Sequence, residues 1–381
     1  MIAQARRKTP QLIDTTLRDG EQAPGACFSP AQRRALAERL AEAGVDEIEL
    51  GAPAMGPADR QSMAEILALA LPCRATAWCR ARQEDLDLAE AVGFDAIHLS
   101  FPTSEIHLGV LGWTPEAMLS RMMRLIQEAR QRFQFVSIGA QDASRARLPL
   151  LRRFVEILFD AGGDRLRLAD TVGVWHPAAV GQLVGDLATG WPELELGVHC
   201  HNDLGMATAN SLAAVQAGAS SVDVTVGGLG ERAGNAALEQ VAVALELCAE
   251  HPSGVRIDHL APIARLVADW LDRPIPTSQP LTGSDVFRHE SGIHVHGLLR
   301  DQRSYQPFDP QRLGRCTEFA VGRHSGRAGL AHALQRVGGV LDSEGLAALL
   351  ERVRGLASRL GRDLTDAELR VEAERIHATA L

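Results

Sequence analysis

Along the first two thirds of the chain, short β-rich runs alternate with longer stretches whose apolar residues return at helical spacing. The short runs fall at 12–17 (LIDTTL), 47–52 (EIELGA), 74–79 (RATAWC), 96–101 (AIHLSF), 135–140 (FVSIGA), 165–170 (RLRLAD), 195–200 (ELGVHC) and 222–227 (VDVTVG), and each reads as a strand. Between them lie amphipathic segments such as 29–44, 114–133 and 210–218. In the first, Ser29 and Pro30 suit the N-cap and first helical positions, and Gly44 suits the residue past the helix end. Eight strand–helix units in about 250 residues predict a closed (β/α)8 TIM barrel. An open doubly wound sheet is the alternative, but it normally carries a nucleotide fingerprint after its first strand, and TTLRDGEQ is not one.

The rhythm changes after residue 255. Residues 273–285, rich in Pro, Ser and Thr, read as a connector. The pattern predicts a barrel over 10–255, a linker over 256–285 and a smaller, mainly helical C-terminal region over 286–381. The amphipathic helices expected there, 343–360 and 365–376, suit a packing or dimerisation appendage.

Composition narrows the chemistry. The 381 residues are 46% hydrophobic, enough for a large core, and carry a net charge of −9. That balance argues against a nucleic-acid partner, and the basic run is limited to Arg6-Arg7-Lys8. With no general basic funnel, any anion must be met by local groups. No apolar signal segment opens the chain and no apolar run approaches ~18 residues, so a cytoplasmic protein without a membrane partner is expected. Six cysteines (Cys27, Cys73, Cys79, Cys200, Cys248 and Cys316) form no CxxC and are expected to be free core thiols. Lysine occurs once, as Lys8. Schiff-base aldolase chemistry and a Walker A phosphate loop, which both need a lysine elsewhere, are excluded.

In a (β/α)8 barrel, functional groups sit at the C-terminal ends of the strands. Four polar clusters fall at that rim: Arg18-Asp19-Gly20-Glu21-Gln22, Asp170-Thr171-Val172-Gly173, His199-Cys200-His201-Asn202-Asp203 and the loop Gly227 to Asn235. His199 and His201 are two apart on a strand and therefore share a face. They are either a metal pair or two hydrogen-bonded core histidines. With the carboxylate of Asp19 at the same rim they suit a divalent Zn, Mn or Mg ion that keeps positions open for substrate. Asn235 could add a neutral oxygen. Asp203 would orient an imidazole or cap the next helix, and Cys200, on the opposite face, would only pack. The loop GGLGERAGN offers backbone N–H groups that suit phosphate or carboxylate, although such loops also make plain tight turns.

With these residues in place, the chain resembles the metal-dependent acyl-CoA Claisen-condensing barrels, the 2-isopropylmalate, citramalate and homocitrate synthases. The resemblance rests on DTTLRDGEQ (14–22), HCHNDLGMATAN (199–210), GGLGERAGNAALE (227–239), GIHVHG (292–297) and VGRHSG (321–326). AWCR (77–80), DEIELGAPAMG (46–56) and ADTVGV (169–174) resemble the nitrogen-fixation type of homocitrate synthase. Length agrees with that type, since isopropylmalate synthases usually carry a further regulatory domain. The resemblance implies acetyl-CoA as cosubstrate and 2-oxoglutarate as acceptor, with metal ligands Asp19, His199 and His201 and with Asn235 nearby. It assigns Arg18 to the developing alkoxide, Gln22 and Thr171 to the substrate, and Gly228, Gly230 and Arg232 to the acyl-CoA side. Arg80, Arg145 and His107 are candidates for the far carboxylate. His294 and Tyr305 would reach into the site of a partner subunit, which implies a homodimer. Relatives commonly carry Glu-Asp where this chain has Gln141-Asp142, and glutamine cannot transfer a proton. A synthase of another 2-oxo acid, or a metal- and acyl-CoA-binding relative with weakened catalysis, therefore stays open.

Overall fold

The computed structural model describes residues 9–249 and 251–379; the Arg6-Arg7-Lys8 run lies outside them. The chain divides into two compact units, the first ending at Pro274 and the second beginning at Ile275. In the first, eight parallel strands close into a barrel in sequence order. They are Gln11–Asp14 (β1), Glu47–Gly51 (β2), Arg74–Arg80 (β3), Ala96–Pro102 (β4), Phe135–Gln141 (β5), Arg165–Asp170 (β6), Glu195–Cys200 (β7) and Ser221–Val224 (β8). Direct pairing of β1 with β8 rules out the open sheet. The helices of this unit are Pro30–Ala43 (α1), Pro57–Leu67 (α2), Gln83–Val92 (α3), Glu105–Leu111 (α4) and Pro115–Arg132 (α5). Leu148–Ala161 (α6), Pro177–Gly190 (α7), Ala207–Ala217 (α8), Leu238–Cys248 (α9) and Leu260–Trp270 (α10) complete it. Helix α1 carries the expected Ser29–Gln32 capping box and ends on left-handed Gly44.

Three expectations need correction. Strands β1 and β8 stop three residues early. Asp14 accepts from the amide and hydroxyl of Thr16, and the Thr15 carbonyl accepts from the amides of Arg18, Asp19 and Gly20, so the chain turns at once. At β8, the Val226 amide donates to Thr16 Oγ1 and Gly227 takes a positive φ. These side chain-to-backbone bonds compete with the ladder. The linker also begins later than expected. Residues 260–270 form α10, which buries Leu260, Ile263, Ala264 and Val267, and Trp270 meets Phe28 edge-on at 6.1 Å. Finally, only Cys79 and Cys200 of the six cysteines are buried; Cys27, Cys248 and Cys316 sit in loops or at a helix end and are exposed.

The second unit holds a short parallel pair, Arg288–His289 (β9) and Glu318–Phe319 (β10), with helices Gly292–Leu298 (α11), Arg327–Arg336 (α12), Ser343–Leu360 (α13) and Asp366–Thr379 (α14). Leu330, Leu334, Leu349, Val353 and Leu369 form its core. Among the described residues no helix is long and apolar enough to cross a membrane.

The barrel interior positions the site. Such interiors are ordinarily filled with layers of Val, Ile and Leu. Here two rings of charge replace them. Glu47 of β2 meets Arg165 of β6 through two bonds of 2.8 and 3.0 Å, and Thr76 and Arg74 complete its coordination. Two residues further along the same strands, Glu49 meets Arg167 at 2.9 Å. Strands β2 and β6 are not neighbours, so both contacts cross the interior. Asp223 and Arg18 join this upper ring, at 2.6 Å from Arg167 and 2.5 Å from Glu49.

Candidate active site

The turn after β1 carries Arg18 and Asp19 over the rim of the barrel, beside the end of β7. Asp19 Oδ2 lies 3.0 Å from His199 Nε2 and 3.9 Å from His201 Nε2, and the two ring nitrogens are 3.2 Å apart. All three residues are buried. His199 and Asp223 are lateral neighbours on β7 and β8, and His199 Nδ1 lies 3.0 Å from Asp223 Oδ2. Burial opposes protonation of His199, but the carboxylates of Asp19 and Asp223 outweigh it and raise the pKa of the ring; Asp19 Oδ2 nonetheless has no hydrogen-bond partner. Burial opposes ionisation of Asp19, but Arg18 and the two imidazoles outweigh it and hold the carboxyl far below its usual range. Burial, then the neighbouring His199, pushes His201 down to about 4.

Carboxylate and imidazole donors from Asp19, His199 and His201 thus lie within 4.8 Å of one another, the one such group among the described residues. Asn235 pairs with His201 in an isolated antiparallel bridge at the end of β7. Its Nδ2 donates to the Leu229 carbonyl, while its buried Oδ1 has no partner. One carboxylate, two imidazoles and an amide oxygen fit a divalent cation; a pair of core histidines alone would explain neither the orphaned Asp19 Oδ2 nor the orphaned Asn235 Oδ1.

A cavity of about 200 Å³ opens beside this group. Of the sequence-predicted residues, Arg18, Asp19, Gln22, Thr171, His199, His201 and Arg232 line it, and so does Gln141. Thr171 Oγ1 accepts the Asp142 amide at 2.9 Å and keeps its own proton to donate. Gly228 and Gly230 do not line the cavity; they shape the loop that presents Asn235. The Gly228 carbonyl accepts the Asn235 amide, and a Cβ on Gly230 would come within 2.4 Å of Asn235 Nδ2. Arg232 donates to Asp203 at 2.8 and 3.0 Å and to the Thr171 carbonyl at 2.8 Å, clipping three rim loops together.

Several placements differ from expectation. Asp203 neither orients an imidazole nor caps α8: Asp223 does the first, and Asn202 Oδ1 takes the Ala207 amide at the helix start. Arg80 is held by Asp85, Arg145 by Asp142, and His107 lies 3.7 Å from Asp142. None of the three lines the cavity. His294 and Tyr305 lie in the second unit, where their rings stack at 4.2 Å. Cys200 is buried with a hydrogen bond to Ser211 of α8, on the outer face of β7 as expected.

Sequence reasoning missed Trp78, His98, Ser100 and Arg167, which also line the cavity, and Asp223 behind it. A signal existed. Strands buried on both faces should read as continuous apolar runs, yet EIELG and RLRLAD alternate charge with Ile or Leu.

Residues 9–267 match the HMGL-like family, and residues 281–361 match a segment described as homocitrate synthase post-HMGL domain-like. The 2-isopropylmalate synthase 2 of Caldanaerobacter subterraneus subsp. tengcongensis is 40% identical over 97% of this chain and 96% of its own. The 2-phosphonomethylmalate synthase of Streptomyces rubellomurinus is 40% identical over 94% of this chain and 96% of its own. The homocitrate synthase of Frankia alni is 43% identical over 86% of this chain and 93% of its own. Length does not separate these types, because the Caldanaerobacter isopropylmalate synthase is matched almost end to end. With its closed barrel, its rim of Asp19, His199 and His201 and its matching post-barrel segment, the chain belongs to the HMGL-like family.

Proposed function

We propose that this protein is a homocitrate synthase, condensing acetyl-CoA with 2-oxoglutarate and hydrolysing the resulting thioester with water to give homocitrate and CoA. The observation that carries the reading is the lining of the cavity. Apart from Trp78, Gly139 and Ala169 it is entirely polar or charged, with no Val, Leu or Ile among the lining residues. A branched apolar 2-oxo acid would strip water from Arg167, Ser100 and Gln141 and return nothing, whereas an acidic tail would pair with them.

Asp19, His199 and His201, with Asn235 Oδ1, would hold a divalent Mg, Mn or Zn ion; when bound, it supplies Lewis-acid polarisation of the acceptor ketone. The remaining steps fall to the chain's own groups. Arg18, fixed by Glu49 and 3.3 Å from Asp19, stabilises the negative charge that develops on the ketone oxygen. Thr171 and Gln22 orient the oxo acid. The loop of Gly228, Gly230 and Arg232 would face the acyl-CoA. On the family resemblance, His294 and Tyr305 of a second protomer would serve the proton abstraction, which makes the protein a homodimer. The test is CoA release with a panel of 2-oxo acids. 2-Oxoglutarate should be preferred; preference for 2-oxoisovalerate or pyruvate would reassign the protein to isopropylmalate or citramalate synthesis.

Gln141 favours a second reading, a metal- and acyl-CoA-binding relative with faded turnover. Gln141→Glu separates the two. A silent wild type that gains turnover on substitution supports this second reading, and an active wild type removes it.

A further inference from the structure

Arg165 and Arg167 sit two residues apart on β6, and their hydrogen bonding differs in a way that points to a ligand. Every side-chain nitrogen of Arg165 has a partner: Nη1 and Nη2 bind the two oxygens of Glu47, and Nε donates to Ser137 Oγ at 3.2 Å. Arg167 has both of its carboxylate partners, Glu49 at 2.9 Å and Asp223 at 2.6 Å, on the single atom Nη1. A guanidinium has five N–H donors, so the Nε–Nη2 edge keeps three, in the fork that matches a carboxylate or phosphonate. Arg167 is also a lining residue of the cavity, whereas Arg165 is not.

We propose that Arg167 is the specificity-determining cation of this site, binding the anionic tail of the 2-oxo acid through its Nε–Nη2 edge. The proposal rests on the condensation reading above and adds the subsite that selects the substrate. Its position suits the role. Ala169 is the lateral neighbour of His199, so the Arg167 backbone starts about 7 Å deeper in the barrel than the metal-ligand level, and its guanidinium reaches up to Asp223, the carboxylate that also meets His199 Nδ1. A 2-oxo acid held at the rim by its oxo-acid head can turn its tail toward that guanidinium. Ser100 lines the same cavity as a neutral donor. His98 lines it too, and burial followed by Arg167, Arg165 and Arg18 keeps its ring neutral. Arg18, the other cation of this ring, is committed through Nε and Nη1 to Glu49 and Asp19, whereas Arg167 keeps its whole Nε–Nη2 edge while Glu49 and Asp223 hold it still.

The experiment compares 2-oxoglutarate with 2-oxovalerate, the five-carbon 2-oxo acid that lacks the tail carboxylate, in the metal-loaded full chain. In the wild type, kcat/KM should favour 2-oxoglutarate, and Arg167→Met should lower that ratio about 100-fold, chiefly through KM. Arg167→Lys, which keeps the charge but loses the fork, should lower it about tenfold and serves if the Met variant does not fold. A ratio unchanged in the folded variant, with both substrates losing alike, overturns the proposal and assigns Arg167 to structure. Calorimetric binding of the two 2-oxo acids to wild type and variant keeps the test independent of turnover. Selective, Arg167-dependent binding without CoA release supports the subsite while refuting the condensation reading. A preference for 3-phosphonopyruvate that is lost in Arg167→Met supports the subsite with a phosphonate tail in place of the carboxylate.

Discussion

The two charged rings inside the barrel share strands β2 and β6, yet they are finished differently. In the lower ring each oxygen of Glu47 is bound, by Arg165, Thr76 and Arg74, and all three nitrogens of Arg165 have partners. In the upper ring Arg167 keeps an unused edge, Asp223 Oδ1 is unpaired, and the attached rim holds the orphaned Asp19 Oδ2, His201 Nδ1 and Asn235 Oδ1. Unpaired buried polar atoms cost stability, and four of them gather around this one rim. The lesson is chemical: a saturated ring fixes the shape of the barrel, and an unsaturated one two residues away is equipped to bind.

Breaking the lower ring should have the largest effect. Arg165→Leu leaves Glu47 buried without its main cation and should destabilise the barrel by about 3–5 kcal/mol, read as a shift in the barrel's urea midpoint. The same ring should show in acid. Burial would raise the pKa of Glu47, but Arg165, Thr76 and Arg74 outweigh it and bring it down to about 2. A depressed folded pKa stabilises above the unfolded value of ~4.3 and is lost as pH falls through the folded one. Between about pH 4.5 and 2 the wild type should therefore lose stability more steeply than Glu47→Gln, by one proton's worth; equal slopes would mean the ring is not ionised. In the upper ring the response should shift from stability to binding. Asp223→Asn strips the charge from the acceptor that fixes the His199 ring and should weaken divalent-metal affinity by about 10–100-fold, with a smaller change in urea midpoint than Arg165→Leu.

The same contrast explains what the sequence revealed. Strands β2 to β7 were legible because short β-rich runs recur between amphipathic helical segments, and the metal-type triad was legible because His199 and His201 repeat at a strand's period. The ends of β1 and β8 were not. Thr15–Thr16 and Thr225–Val226 look extended, and only the bond between Thr16 Oγ1 and the Val226 amide, 210 positions apart, shows why both strands stop. Arg80 does not line the cavity, and Asp85, five residues on, binds it locally. Arg167 and Asp223 were hidden because their partners lie on other strands, so no local motif contains the set.

The most direct measurement of the central claim, that the upper ring and its rim form a divalent-cation site, is metal titration of the chain by calorimetry beside His201→Ala. The wild type should bind about one Mg, Mn or Zn ion per chain, and the variant should lose that binding while its circular dichroism stays that of a folded barrel. Undiminished binding by folded His201→Ala would contradict the account.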